Sequence, residues 1–286
     1  VMLRIGRATG RSNEHRGFHA PGTTGPFGAA VACALLLDLD TDRLLNAIGI
    51  AGSLASGLRQ FSVSKTGSMV KRLHFGRAAE SGVLAASLAA EGIDGPHDIL
   101  EGNAGFLKVF CDHYDVSELT RGLEGDTFLV REIAMKRFAT HGSSQIPLQA
   151  LLDVRARHIF SADEIESIHV AAAREAVEHH DNPAPTDLMQ AQYSVPFCIA
   201  LACVRDARVR YEVGEITDKR TCEMTVTLRS GAVHKRTLPE PGIPWRPANR
   251  DETYEKYAIL MRDCARSKVD ELFERIQTMD TQARVD

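Results

Sequence analysis

SMVKRLHFGRAAESGVLAA, residues 68–86, decides the fold class. From Phe75 onward alanine, glycine and serine recur on every turn, and the run continues to Gly92, so a helix over 75–91 ended by that glycine is predicted. Side chains this small set how near two helix axes can come, so this helix needs closely packed helical neighbours. The flanks supply them. Thr41 or Asp42 can cap a helix that runs to about Gly57 (DRLLNAIGIAGSLASG), where Gly49, Gly52, Ser53 and Ser56 admit a neighbouring backbone. PFGAAVACALLL, residues 26–37, reads as a helix with proline in its first turn. Ile99, Leu100, Phe106, Leu107, Val109 and Phe110 suggest further short helices. Up to about residue 130 the chain reads as helix packed on helix.

The character then changes. Residues 143–158 (SSQIPLQALLDVRARH) read as an amphipathic helix, and Ser161–Glu164 fits a capping box. Ile165 to Val177 is ambiguous, with Ile168-His169-Val170 favouring a strand. Residues 188–204 read as one helix with an internal proline. CEMTVTL (222–228) and AVHKRTL (232–238) alternate about Arg229-Ser230-Gly231 and predict a hairpin. Residues 239–249 are proline-rich and linker-like. Residues 251–280 read as one long amphipathic helix with Leu260, Val269, Leu272 and Ile276 on or near one face. The expected class is mainly α: a large all-helical domain, a smaller α+β domain and a terminal helix.

A chain of 286 residues is enough for one large domain or two ordinary ones. A net charge of −4, with no basic run interleaved with aromatics, gives no reason to expect nucleic acid. No apolar run approaches the roughly 20 residues of a membrane span, and no signal peptide is visible. Six cysteines without a CxxC pair read as buried thiols of a reducing, cytoplasmic compartment rather than as a disulfide framework or a metal site. The opening Val1-Met2-Leu3-Arg4-Ile5 reads as the inside of an element, so residues preceding Val1 are expected.

Three segments are dense in polar function. Arg16–Gly25 (RGFHAPGTTG) reads as a glycine-rich loop opening into helix 26–37, where helix N–H groups favour an anion and His19 can act as base or donor. A tight turn with a surface histidine explains it equally well. It lacks the GxxxxGK[ST] pattern of a phosphate loop. Gly67–Gly76 reads as a loop that places Lys71, Arg72 and His74 within four residues; lysine holds a carboxylate by charge and arginine by a bidentate pair. One solvated lysine is ordinary, but two cations and a histidine between small-residue helices are less so. Ile133–His141 (IAMKRFATH) falls where the character changes, and there Lys136 can polarise a carboxylate while His141 moves a proton. A charged linker is the commoner explanation of a KR pair. His179-His180-Asp181 has no matching metal spacing and reads as a polar loop. Neither the GxSxG of a hydrolase elbow nor a dinucleotide GxGxxG is present.

Taken in order, RGFHAPGTTGPFGAA (16–30), LLNAIGIAGSLASGL (44–58), SMVKRLHFGRAAESGVLAA (68–86), GFL (105–107), KRFATH (136–141) and AQYSVPFCIAL (191–201) resemble the MmgE/PrpD family. This is a family of 2-methylcitrate dehydratases, cis-aconitate decarboxylases and iminodisuccinate epimerases. KRLHFGRAAESG is the most specific piece. The resemblance implies a helical domain of residues 1–133 and 246–286 and an inserted α+β lid of residues 134–245, with the active site in the cleft between them. It also implies a homodimer, no metal or organic cofactor, and a small polycarboxylate substrate. His19, Lys71, Lys136 and His141 match the family's site, with Arg72, His74 and Arg137 as supporting substrate-binding residues. Members carry a long further helical stretch before the position of Val1, which supplies an aspartate and a histidine to the site, so the chain is expected to be part of a longer protein. The implied chemistry starts at a carbon beside a carboxylate. The lysines stabilise the enediolate-like charge and a histidine moves the proton. Dehydration of a 2-methylcitrate-like hydroxy acid is the leading expectation. Epimerisation of an iminodisuccinate-like compound and a non-catalytic member of the fold are the alternatives.

Overall fold

The computed structural model describes residues 1–64, 68–125, 128–133, 135–203, 208–218, 220–239 and 249–278. The chain is mainly helical with one small sheet, and it divides into two compact units, residues 1–131 with 184–191 and residues 132–183 with 192–286. No helix among the described residues is long and apolar enough to cross a membrane.

The first unit carries α1 (Met2–Ala8), α2 (Ser12–His15), α3 (Ala20–Leu36), α4 (Thr41–Ser53), α5 (Val70–Ala90) and α6 (Phe106–Phe110). The predicted small-residue helix is α5, and it lies along α3 and α4. A Cβ placed on Gly82 would stand 2.6 Å from the Ala30 nitrogen, and one on Gly49 would stand 2.6 Å from the Pro96 carbonyl oxygen. These glycines mark where backbones touch. The core beneath is Ile5, Phe27, Phe106 and Leu107 set among alanines of α3, α4 and α5.

Three boundaries differ from expectation. α3 begins at Ala20, so the glycine-rich stretch is helix rather than loop, with Pro21 in its first turn and Pro26 inside it. Thr23 and Thr24 donate back to the Ala20 carbonyl at 3.1 and 2.9 Å, so both hydroxyls are satisfied within the helix. Pro26 cannot bond the carbonyl four residues back, and Gly22 O instead accepts the Ser56 N–H at 3.3 Å. α4 is capped by Asp40, whose carboxylate accepts the Arg43 N–H at 2.9 Å, and not by Thr41 or Asp42. α5 starts at Val70, so Lys71, Arg72 and His74 lie on its first two turns rather than in a loop; Gly67 lies outside the described residues.

The second unit holds α7 (Gly142–Arg157), β1 (Ile165–Ala172), α8 (Arg174–Val177), α9 (Leu188–Tyr193), α10 (Val195–Cys203), β2 (Arg208–Val213), β3 (Cys222–Leu228), β4 (Val233–Leu238), α11 (Arg250–Leu260) and α12 (Arg266–Gln277), save that Leu188–Ala191 of α9 belong to the first. The sheet order is β2-β1-β3-β4, with β2 parallel to β1 and the other pairs antiparallel. The hairpin β3–β4 is as expected, turning where Gly231 takes a φ of +86°. α7 packs on β3 and β4, and α10 packs on α7 and β2. Leu151, Val154, Ile168, Val170, Ile199, Met224 and Val226 form the core.

Two single helices of the sequence reading are each broken. Ser194 separates α9 from α10 because its hydroxyl accepts the Phe197 N–H at 3.0 Å, which makes it the cap of a new helix with Pro196 in the first turn. Residues 261–265 separate α11 from α12. Val269 and Phe273, four apart, are the buried pair there, while Leu260 and Ile276 are exposed. β2 and the ordered capping box at Ser161–Glu164 complete the unit. Most of the proline-rich linker, residues 240–248, lies outside the described residues. Cys111, Cys198, Cys203 and Cys222 are buried thiols as expected, whereas Cys264 is exposed and Cys33 half-buried.

Candidate active site

His19 is the residue before α3, and two backbone contacts hold it: its N–H donates to Gly57 O at 3.0 Å, and Phe18 forms an antiparallel bridge with Leu58. It is not a surface histidine, for the residue is 8% exposed. Its Nδ1 lies 2.9 Å from Nδ1 of His74, one turn past Lys71 on α5. Two imidazole nitrogens this close share one hydrogen, one donating and the other accepting. The Phe61 ring stands edge-on to both, with centroids at 5.0 and 5.6 Å. Gly57 has a φ of +135°, and a Cβ there would sit 3.3 Å from His74 Nδ1, so a glycine makes room for the pair.

Burial, followed by the positive fields of His74 and Lys71, lowers the His19 pKa to about 4, against a smaller opposing pull from Glu14. Lys71 is half-buried, with Nζ 6.0 Å from the Phe61 centroid, and burial pushes its ammonium below the usual lysine range. Arg72 is exposed on the same turn. The first unit therefore brings together His19, Lys71 and His74, and it leaves Arg72 at the surface.

Lys136, Arg137 and His141 lie in the second unit. Lys136 is exposed, and its carbonyl accepts a hydrogen bond from the Lys256 ammonium. Arg137 donates to Gln149 Oε1 at 2.9 Å, so its guanidinium is engaged with α7. Gln145 of α7 ties down the segment between: its Oε1 accepts the Phe138 N–H at 3.0 Å, and its Nε2 donates to Phe138 O and Thr140 Oγ1 at 3.1 and 2.9 Å. The KRFATH segment is thus held against a helix and is not a free linker. His141 caps α7, with Nδ1 accepting the Ser143 N–H at 3.2 Å.

Sequence reasoning missed Tyr193 and Phe61 and set His180 aside as part of a polar loop. His180 is 7% exposed and stacks on the His141 ring at 4.1 Å, with Tyr193 at 4.7 Å from the same ring. For Tyr193 the sequence signal was that AQYS, part of the family-like stretch 191–201, continues into an apolar helix; nothing local marks His180 as buried.

The chain matches the MmgE/PrpD N-terminal domain over residues 1–119 and the MmgE/PrpD C-terminal domain over residues 138–212. It belongs to the MmgE/PrpD family. His19, Lys71 and His74 fall in the first of these matched MmgE/PrpD segments, and His141, His180 and Tyr193 fall in the second. Among curated relatives, the chain is 26% identical to human cis-aconitate decarboxylase over 274 residues, which covers 84% of this chain and 55% of the relative. It is 25% identical to the mouse cis-aconitate decarboxylase over 292 residues, covering 88% and 58%, and 28% identical to an Aspergillus terreus cis-aconitate decarboxylase over 231 residues, covering 75% and 46%. The chain spans about half the length of the curated relatives it matches.

Proposed function

We propose that the protein carrying this chain is a cofactor-independent lyase acting on a small polycarboxylate, with His19 as the proton-transfer group and Lys71 as the cation that stabilises developing carboxylate charge. The 2.9 Å His19–His74 pair beside a half-buried lysine carries this reading. A ring held neutral by burial and neighbouring cations is ready to take a proton. A bound polycarboxylate supplies the negative charge that raises its pKa again, so the same ring can hold a proton within the complex. The ammonium, partly stripped of water, interacts more strongly with an enediolate-like charge than a solvated lysine does.

The names of the relatives favour decarboxylation of a cis-aconitate-like tricarboxylate. The carbon–carbon bond to the departing carbon dioxide breaks, its electron pair shifts through the alkene, and the far carbon takes the proton. Dehydration of a 2-methylcitrate-like hydroxy acid, the leading expectation from the family resemblance, is the second reading: a base removes the proton beside the carboxylate and the hydroxyl leaves. The homodimer, the cytoplasmic location and the domain division at residues 133–134 and 245–246 belong to the same proposal, as do the catalytic roles of Lys136 and His141 and the substrate-binding roles of Arg72, His74 and Arg137.

The test uses the whole protein. Carbon dioxide release from cis-aconitate is expected, falling about 100-fold or more in K71A and H19N with the fold intact. Alkene absorbance from 2-methylcitrate without carbon dioxide release moves the assignment to dehydration. Silence with both, together with deuterium exchange into an amino-dicarboxylate, replaces the lyase by an epimerase. Silence in all three assays supports a non-catalytic member.

A further inference from the structure

The His179-His180-Asp181 motif, which reads as a polar loop in the sequence, holds His180 buried within the second unit. Its Nδ1 lies 3.1 Å from the Tyr193 carbonyl oxygen. A carbonyl only accepts, so Nδ1 of His180 carries the hydrogen. His141 is arranged the other way. Its Nδ1 faces the Ser143 amide at 3.2 Å, and a backbone amide only donates, so that nitrogen presents its lone pair and the hydrogen of the neutral ring sits on Nε2. Ser143 Oγ, at 3.3 Å, is the competing partner and could accept from an Nδ1–H. That tautomer would turn an N–H toward the first-turn amide of α7 and remove the helix cap.

Two further contacts hold the ring. His180 lies over it at 4.1 Å with 28° between the planes, and Tyr193 at 4.7 Å with 25°. The backbone is held as well, since the His141 N–H donates to Gln192 O at 2.7 Å and His180 O accepts the Val195 N–H at 2.9 Å. The stack fixes the plane of the His141 ring, and the cap bond fixes which edge faces the helix.

We infer that His141 is held as its Nε2–H tautomer, a hydrogen donor rather than a proton acceptor, with His180 as the positioning residue that keeps its ring in place. The use of that donor on a substrate rests on the proposed lyase reading, whereas the tautomer does not. A neutral ring with its hydrogen on Nε2 donates a hydrogen bond but not a proton, so on the lyase reading His141 polarises rather than protonates.

The tautomer is read directly from long-range proton–nitrogen NMR spectra of the whole protein with 15N-labelled histidine, the His141 signal being identified by its loss in H141N. Hydrogen on Nε2 of His141 and on Nδ1 of His180 near neutral pH is the expected result. Hydrogen on Nδ1 of His141 overturns the assignment. H180A is expected to give mixed His141 tautomers and to lower kcat about tenfold with KM within about twofold, and H180F, which keeps a ring in the stack, to restore both. An unchanged His141 tautomer and kcat in a folded H180A or H180N overturn the positioning role. If the protein turns over no polycarboxylate, the lyase reading fails while the spectra still decide the tautomer.

Discussion

At the scale of single residues, His19 couples the candidate site to stability. Its pKa is about 4 in the folded chain, against an ordinary value of about 6.5 when unfolded. Above about pH 6.5 the ring is neutral in both states. As pH falls from there toward about 4, only the unfolded chain takes up the proton, so folding stability falls through that window and levels off below it. The expected loss is on the order of 3 kcal/mol. Urea unfolding of the wild type and H19N across this range measures it: the variant should lack the His19 part of the slope, and equal slopes would show that the ring is not shielded. The sequence showed that His19, Lys71 and His74 lie in two segments dense in polar function. It did not show that two of them touch, because Nδ1 contact between residues 55 apart depends on how α3 and α5 lie against each other.

At the scale of elements, α5 was legible from its composition, and its start was not. Helix propensity extends readily through VKRLHF, so with no breaker between Val70 and Phe75 the helix continues upstream. Two glycines of α5 test why it is built from small residues. A side-chain carbon added at Gly76 would have nothing within 4 Å of it, so Gly76→Ala is expected to stabilise by about 0.5–1 kcal/mol through helix propensity alone. Gly82 faces Ala29 and Ala30, whose atoms would come as near as 2.3 Å to an added Cβ, and there overpacking of about 1–3 kcal/mol outweighs the same propensity gain. Thermal unfolding should move up for the first and down for Gly82→Ala; two shifts of the same sign would mean that α3 and α5 do not touch at Gly82. The hairpin β3–β4 was legible because its period of two and its glycine turn are local. β2 was missed because its partner β1 lies about forty residues away in sequence, and a strand that pairs only at long range leaves little local trace.

For the whole molecule, the six thiols report on packing. Cys264 is exposed and should react with a thiol reagent at once under native conditions, and half-buried Cys33 more slowly. Cys198, Cys203 and Cys222 are buried, with burial pushing each thiol above its ordinary pKa and Cys222 to about 12, so they should react only as the second unit opens. Mass spectrometry of timed alkylation gives the order, and early labelling of Cys222 would contradict the core in which it is placed. Sequence alone determined the mainly helical class, the late α+β part, the hairpin and the family resemblance, because periodicity, turn residues and motif order are properties of neighbours along the chain. Tertiary structure decided that the glycine-rich stretch is helix, that His74 pairs with His19, and that His180 is buried against His141. Each of these depends on groups distant in sequence, and only packing gives a polar side chain its hydrogen-bond partner and its protonation state.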